Sequence, residues 1–468
     1  MKSKFTKFNP FFFGILILSL LIFPTRVLAQ DQSDGPVYVV QPGDTLYSIA
    51  LRFGVTVNDL ISANSISDPN QVNAGTELVL PGLKGVTGKL VTETIPLGMD
   101  LSELVKFRGL DETLIIRLNR ITSPSEVYAG SNLILPQADN PSYRKPLQPP
   151  AEGSAFLHYA ALNKQNPWEI ILASQETSSA YITPGENLVS ASSEETPPSN
   201  PLSPLVSRLE MEPMPLVQGH TTVIKAVALP GVQLEGSLNG YPLHFMQSSP
   251  GNFIALQGIH AMADPGLAPL SLIATDESGK SLVFSQMVLL QQGFYAQDPP
   301  LTVDPATIDP ANTQPEDELV RQRTTPVTPE KFWTGIFRLP VDEPYCIKSW
   351  FGNRRSYNGG TYSYFHTGLD FGVCASLNIY APAPGVVVFA GPLTVRGNAT
   401  IIDHGWGVYS GFWHQEQIKV KEGDRVQTGQ LIGLIGGTGR VTGPHLHWEV
   451  WVNGVQVEPQ DWLDREFP

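Results

Sequence analysis

Cysteine is nearly absent. The 468-residue chain has two, Cys346 and Cys374. Two thiols can form one disulfide in an oxidising compartment or stay buried and free, and they are too few for a four-thiolate zinc site. Charge is also sparse: Asp, Glu, Lys and Arg make up 16% of the residues, which excludes a coiled coil. Basic residues are outnumbered by acidic ones, for a net charge of -14, and this argues against a nucleic-acid partner. A neutral glycan stays admissible, because sugar contacts need no basic surface. After residue 29 no apolar run is long enough to span a bilayer.

The one long apolar run, Phe11 to Phe23, follows Lys2, Lys4 and Lys7 and precedes Val27-Leu28-Ala29. That order predicts a secretory signal over 1–29, cleaved after Ala29, with no transmembrane segment left in the exported chain. The remaining length suits about three domains.

Self-similarity organises the first third. Asn64, Ala74-Gly75 and Leu78-Val79-Leu80-Pro81 recur 55 residues later as Asn119, Ala129-Gly130 and Leu133-Ile134-Leu135-Pro136. A fainter third copy has Ser174 in place of Asn and Pro184-Gly185-Glu186-Asn187-Leu188 in place of the Ala-Gly segment. In the first copy Val37 to Val40 reads as a strand. Gln41-Pro42-Gly43-Asp44-Thr45 reads as a turn, and Leu46, Ile49, Ala50 and Phe53 lie at helical spacing. A second helix holds Leu60 and Asn64, and a last strand runs from Leu78 to Leu80, for a β-α-α-β order.

These residues resemble the LysM module, in which two helices pack on a two-stranded antiparallel sheet. The resemblance implies binding of N-acetylglucosamine chains such as peptidoglycan. It places Gly43, Asp44, Thr45, Leu46 and the 66–73 loop beside the glycan. The expected modules are 37–82, 89–137 and a degenerate 150–190. Copy two lacks the Pro-Gly-Asp-Thr turn, and copy three lacks most of its first half.

Residues 191–204 are rich in Ser, Pro and Glu and read as a linker. Over 205–297 short β segments alternate with Gly, Pro, Asn and Asp, which predicts an immunoglobulin-like β-sandwich. His220, His244 and His260 lie there without ligand spacing. Residues 298–330, with many Pro, Thr and Asp, read as a second linker.

From 332 to 468 the pattern predicts an all-β domain holding five of the nine histidines: His366, His404, His414, His445 and His447. His445 and His447 stand two apart on a predicted strand and so share a face. His366 and Asp370, four apart, share one if that stretch is also a strand. A histidine pair meeting a His/Asp pair suits a hydrolytic zinc site, which takes three protein ligands and leaves a place for water.

The domain also resembles the M23 peptidases, lysostaphin-like zinc endopeptidases that cut peptidoglycan cross-links. The resemblance is carried by Ser349-Trp350-Phe351-Gly352-Asn353-Arg354, His366-Thr367-Gly368-Leu369-Asp370-Phe371, Ile401-Ile402-Asp403-His404-Gly405 and Gly443-Pro444-His445-Leu446-His447-Trp448-Glu449. It implies one Zn2+, held by His366, Asp370 and His447. His414 and His445 are implied as the proton-transfer and oxyanion-stabilising groups, in either order, and His404 as structural. Gln415-Glu416-Gln417 departs from the family pattern and implies an altered cleft rim. A Cys346–Cys374 bridge would pin the strand carrying His366 and Asp370.

The whole chain then reads as a secreted protein of the bacterial cell envelope that binds peptidoglycan and hydrolyses its peptide cross-links. The alternative is a non-catalytic LysM/M23-like envelope protein that regulates a cell-wall amidase. A complete ligand set with both auxiliary histidines favours catalysis.

Overall fold

The computed structural model describes residues 35–468 except 71, 84, 138–142, 148–149, 151–152, 154, 177–181, 183–185 and 195–202, and leaves the side chains of 191–194 undescribed. The expected signal segment and most of the 191–204 linker fall outside the described residues. The chain divides into two compact units after Val91.

The first unit contains β1 (Val37–Val39), α1 (Leu46–Phe53), α2 (Val57–Asn64) and β2 (Glu77–Val79). β1 and β2 pair antiparallel, with Tyr38 opposite Leu78. Local chemistry sets the helix ends. Thr45 and Ser48 form a capping box at the start of α1, and Gly54 closes it with a left-handed φ of 69°. Thr56 and Asp59 form the same box on α2. Tyr38, Ile49, Leu60 and Leu80 are fully buried between helices and strands.

The 55-residue repeat has a physical cause. Asn64 accepts from the Val79 amide at 2.6 Å and donates to the carbonyls of Leu60 and Val79, both at 2.9 Å. Asn119 does the same with Ile134 and Ile115. Ser174, where the third copy departs from Asn, still accepts from the Val189 amide at 2.9 Å. Each residue clasps the end of the second helix to the last strand, fifteen positions on.

In copy two β3 (Lys89–Thr94), α3 (Leu101–Arg108), α4 (Glu112–Asn119) and β4 (Asn132–Gln137) keep the order. Asp100 caps α3 in the absent turn's place. Copy three is more complete than its sequence suggested. β5 (Tyr143–Pro146) precedes α5 (Phe156–Leu162) and α6 (Pro167–Ala173), and pairs antiparallel with β6 (Val189–Glu194). The module therefore starts before 150 and runs into the expected linker. The first strand escaped notice because Tyr143-Arg144-Lys145-Pro146 lacks apolar alternation.

The middle domain is a two-sheet β-sandwich. Its strands are β7 (Val206–Glu212), β8 (Leu216–Val217), β9 (Thr221–Ala228), β10 (Gln233–Leu238), β11 (Tyr241–Leu243), β12 (Met246–Ser249), β13 (Asn252–Gly258), β14 (Gly266–Thr275) and β15 (Ser281–Gln291). One sheet has the order β12-β13-β9-β7, the other β11-β10-β14-β15-β8. Ile224, Leu238, Leu270 and Leu272 share the core between them.

Segment 298–330 corrects the second linker expectation. Residues 296–303 run beside 354–358: the Arg354 amide donates to Ala296 at 2.8 Å and the Leu301 amide to Ser356 at 2.9 Å. A 15-residue helix follows, α7 (Pro310–Thr324), capped by Asp309. Its Glu316 accepts from the Val395 amide at 2.8 Å and the Arg396 amide at 3.1 Å. Proline and polar residues gave the segment a linker's composition, yet its hydrogen bonds are satisfied by the domain it borders.

That C-terminal domain is built on a ten-stranded sheet. After β16 (Ile347–Ser349), β17 (Arg354–Arg355) and β18 (Tyr364–Phe365) come β19 (Leu369–Gly372), β20 (Asn378–Tyr380), β21 (Gly385–Leu393), β22 (Gly397–Gly405), β23 (Val408–Ile418), β24 (Arg425–Val426), β25 (Leu431–Ile435), β26 (His445–Val452) and β27 (Val455–Val457), and the site depends on β19, β22, β23 and β26. β26 lies between β19 and β23, with His447 opposite both Asp370 and Trp413. Trp448, Phe371, Phe412 and Leu446 fill the core beneath. The sandwich seals one end: Val223, Leu256 and Ala261 join that core, and Trp462 donates to the Thr221 hydroxyl at 3.2 Å.

Cys346 and Cys374 are bonded, with Cα atoms 6.1 Å apart, and close a loop of 28 positions around β19. Replacing both by serine is expected to lower the free energy of unfolding by about 3.5 kcal/mol from loop entropy. Urea denaturation of the oxidised chain, followed by tryptophan fluorescence, measures it. An unchanged midpoint would contradict the expectation.

Candidate metal centre and active site

Three side chains converge where β19 meets β26. Asp370 Oδ1 lies 3.0 Å from His366 Nε2 and 2.8 Å from His447 Nδ1, and the two histidine nitrogens are 2.9 Å apart. All three residues are buried. Asp370 and His447 are cross-strand neighbours, as alternation predicts. His366 arrives differently: it precedes β19, separated from it by Thr367 and a bend at Gly368. The shared-strand reading of His366 and Asp370 is thus corrected. A Cβ on Gly368 would come within 2.2 Å of the Trp448 carbonyl, so only glycine permits this close crossing.

The outer hydrogen bonds fix which nitrogen of each ring is free. His366 Nδ1 is 2.8 Å from the Trp350 carbonyl, an acceptor, so it carries the proton and Nε2 is bare. His447 Nε2 lies 2.9 Å from Glu449 Oε1 and donates to it, leaving Nδ1 to face Asp370. Thr367 donates to the same Glu449 oxygen at 2.5 Å. Two imidazole nitrogens and a carboxylate oxygen thus point at one another, and a cation between them satisfies all three. This donor set, with the outer ring nitrogens held by the Trp350 carbonyl and Glu449, fits zinc.

Electrostatics agree. Burial pushes His366 down to about 4. Burial would raise Asp370, but His366 and His447 beside it hold it well below the usual carboxylate range. Burial would lower His447, yet hydrogen bonds to Asp370 and Glu449 outweigh it and raise the pKa. Without a metal the His447 ring therefore keeps its second proton to higher pH than a free histidine. Metal uptake must displace that proton, so affinity is expected to fall as pH drops through the raised pKa, with about one proton released per ion. Calorimetry in buffers of different ionisation enthalpy reads the number directly; zero would contradict it.

His414 and His445 flank the three. Their ring centroids are 4.9 Å apart, and His445 Nε2 is 3.5 Å from Asp370 Oδ1. His414 Nδ1 donates to the Thr438 carbonyl at 2.8 Å and His445 Nδ1 to the Gly443 carbonyl at 2.8 Å, so both present a bare Nε2. His414 has a φ of 64°, which a strand residue seldom adopts, and its amide is held by the Arg396 carbonyl at 2.9 Å. Burial, then the charges of His447 and His445, push its pKa down to about 3, so the ring is neutral near neutral pH. His404 stands apart, fully buried, bonded to the Pro384 carbonyl and the Ser410 hydroxyl. Gln415 is also buried, donating to Thr400, and does not reach the cleft rim as expected.

Asp370, His414, His445 and His447 line a cleft of ≈ 1020 Å³. One wall comes from Asp298, Leu301, Ile308, Asp317 and Arg321, all within the former linker. Sequence reading missed this wall, along with Glu449, Thr367 and Arg396. Glu449 was legible: the period of two that pairs His445 with His447 extends to it.

Residues 364–459 match the profile of peptidase family M23, and residues 38–81 that of the LysM domain. The chain carries an M23 domain and a LysM domain. Over 120 residues it is 41% identical to a peptidoglycan DD-endopeptidase, ShyA, of Vibrio cholerae serotype O1, covering 26% of this chain and 28% of that one. Over 94 residues it is 42% identical to the DD-carboxypeptidase/endopeptidase Mpg of Neisseria meningitidis serogroup B, covering 20% and 22%. The chain thus spans under a third of the length of these curated relatives. A putative M23 peptidase structure from Pseudomonas aeruginosa is 27% identical, covering 54% of this chain and 96% of that one, with a TM-score of 0.40. All five site residues, His366 to His447, lie inside the matched M23 segment.

In the LysM domain the expected glycan residues divide. Gly43 turns the chain at a φ of 86°, and Thr45 caps α1. Asp44 faces inward, accepting from the Tyr38 hydroxyl at 2.7 Å and pairing with Arg52 at 3.3 Å. Leu46 is buried in the module core. Both side chains are directed into the module. Tyr47 and Leu51, on the same helix, are exposed at 71% and 63%.

Proposed function

We propose that the chain is a zinc-dependent endopeptidase of the bacterial cell envelope that cuts the peptide cross-links of peptidoglycan while its LysM domain holds the glycan. The convergence of three donor atoms from His366, Asp370 and His447 on one point carries the reading. Bound zinc supplies Lewis acidity and a water of lowered pKa. Between His414 and His445, one bare Nε2 takes the proton of the attacking water and the other ring, once protonated, donates to the developing oxyanion. The names of the relatives, DD-endopeptidase and DD-carboxypeptidase/endopeptidase, support a stem-peptide substrate and favour catalysis over an amidase-regulating role.

Holding enzyme on an insoluble polymer raises its local concentration there. Asp44 and Leu46 being turned inward, the exposed Tyr47 ring and the backbone of 43–45 are the groups offered to the glycan. The sandwich, read as immunoglobulin-like, serves as the spacer. Digestion of purified peptidoglycan, with mass analysis of released fragments and of bound zinc, tests the reading. Absence of zinc from purified protein, or of peptide-cleaved fragments, refutes it.

A further inference from the structure

Asp298 lies outside the matched M23 segment, yet one side chain connects it to the metal centre. Its Oδ2 is 3.3 Å from Arg355 Nε, and Arg355 Nη2 is 3.3 Å from Asp370 Oδ2. The second contact takes the carboxylate oxygen that the histidines leave, since Oδ1 is the atom beside His366 and His447. Asp298 is itself held from several sides. Asn353 donates to its Oδ1 at 2.8 Å and Ser349 to its Oδ2 at 3.3 Å. Its amide donates to the Arg354 carbonyl at 3.0 Å, and its carbonyl accepts from the Tyr362 hydroxyl at 2.9 Å. Ser349 also accepts from Arg355 at 3.1 Å. The Asp298 and Arg355 side chains are largely shielded from water, at 21% and 16% exposure.

We propose that Asp298 is a positioning residue for the metal site: by fixing the Arg355 guanidinium it holds Asp370 with Oδ1 alone turned to the ligand position. The proposal rests on the reading of His366, Asp370 and His447 as metal ligands. A guanidinium is a rigid planar fork, so an anchor on one edge sets the direction of the other. Arg355 is shared between two carboxylates, and Asp298 keeps it from swinging fully onto Asp370 and drawing that ligand aside. The segment before the M23 domain thereby contributes to the metal site as well as to the cleft wall.

The test is cobalt(II) binding to the full chain, by competition with a chromophoric chelator and by the visible absorption of the bound ion. Asp298→Ala is expected to weaken binding roughly tenfold, the lower range for loss of an outer-shell partner, and to shift the visible band. Asp298→Asn serves the same purpose if the alanine variant does not fold. Arg355→Ala should weaken binding similarly, and adding Asp298→Ala to it should cost nothing more, because the effect passes through Arg355. Glu318→Ala, on the exposed face of α7, should leave both readouts unchanged. Unaltered affinity and band in Asp298→Ala, or an equal further loss in the Arg355→Ala background, would overturn the proposal. Failure of the unmodified protein to bind cobalt would instead overturn the metal reading beneath it.

Discussion

Replacing His447 with alanine is expected to remove both metal and activity, with cross-link hydrolysis falling on the order of a thousandfold or more, since Lewis-acid stabilisation is worth several kcal/mol and each 1.4 kcal/mol is about tenfold. His447 Nδ1 sits 2.8 Å from Asp370 Oδ1 and 2.9 Å from His366 Nε2, so its loss opens the donor set and leaves Glu449 bonded to Thr367 alone among the described residues. His445→Ala is expected to differ. His445 stands 3.5 Å from the same carboxylate oxygen and outside the three converging atoms. Its loss should lower hydrolysis by about 10²–10⁴, the usual worth of a proton-transfer group, while zinc content stays near one per chain. Elemental analysis beside fragment release separates the two. Equal loss of metal in both variants would show that the division of labour is wrong.

Glu316→Ala is expected to destabilise the C-terminal domain by about 3–5 kcal/mol, as for breaking one side of a buried ion pair. Glu316 is almost fully buried and accepts three hydrogen bonds: two backbone amides and the Arg396 guanidinium at 2.9 Å. Without it Val395 and Arg396 lose their acceptor, and Arg396 keeps only the exposed Asp317 on that helix. The Arg396 carbonyl also holds the His414 amide, so activity should fall together with thermal stability. Differential scanning calorimetry reads the first, fragment release the second. The exposed pair Glu318–Arg321 on the same helix provides the contrast, and removing Glu318 should leave the melting profile as it was.

The strands that hold the ligands were legible because alternation and dense Val, Ile and aromatic content leave one way to bury β19, β23 and β26. The His/Asp/His set was legible for the same reason, although His366 reaches it from ahead of β19. What escaped shares one property: it depends on contacts distant in sequence. Glu316 and Arg396 are eighty positions apart, and nothing local in Pro310–Thr324, with its proline and weak amphipathicity, indicates that Glu316 turns inward. Asp298 looked like one acid of a polar linker until Arg355 and Asn353 were placed beside it. Asp44 is the opposite case: its turn motif is local, but the bonding of its carboxylate to Tyr38 and Arg52 emerges only once the module is folded.

The wall formed by residues 298–324 separates two things that are usually inherited together. On the proposed function, the strands bearing Asp370 and His447 determine how a bond is broken, and the wall helps determine which peptide fits. Substitutions in that wall can reshape the cleft without disturbing β19 or β26, provided Asp298 and Glu316 keep their partners. If the proposed function holds, selection can retune the preferred peptide by rewriting about two dozen residues upstream of β19 and β26, and two chains nearly identical across 364–459 can still differ in what they accept.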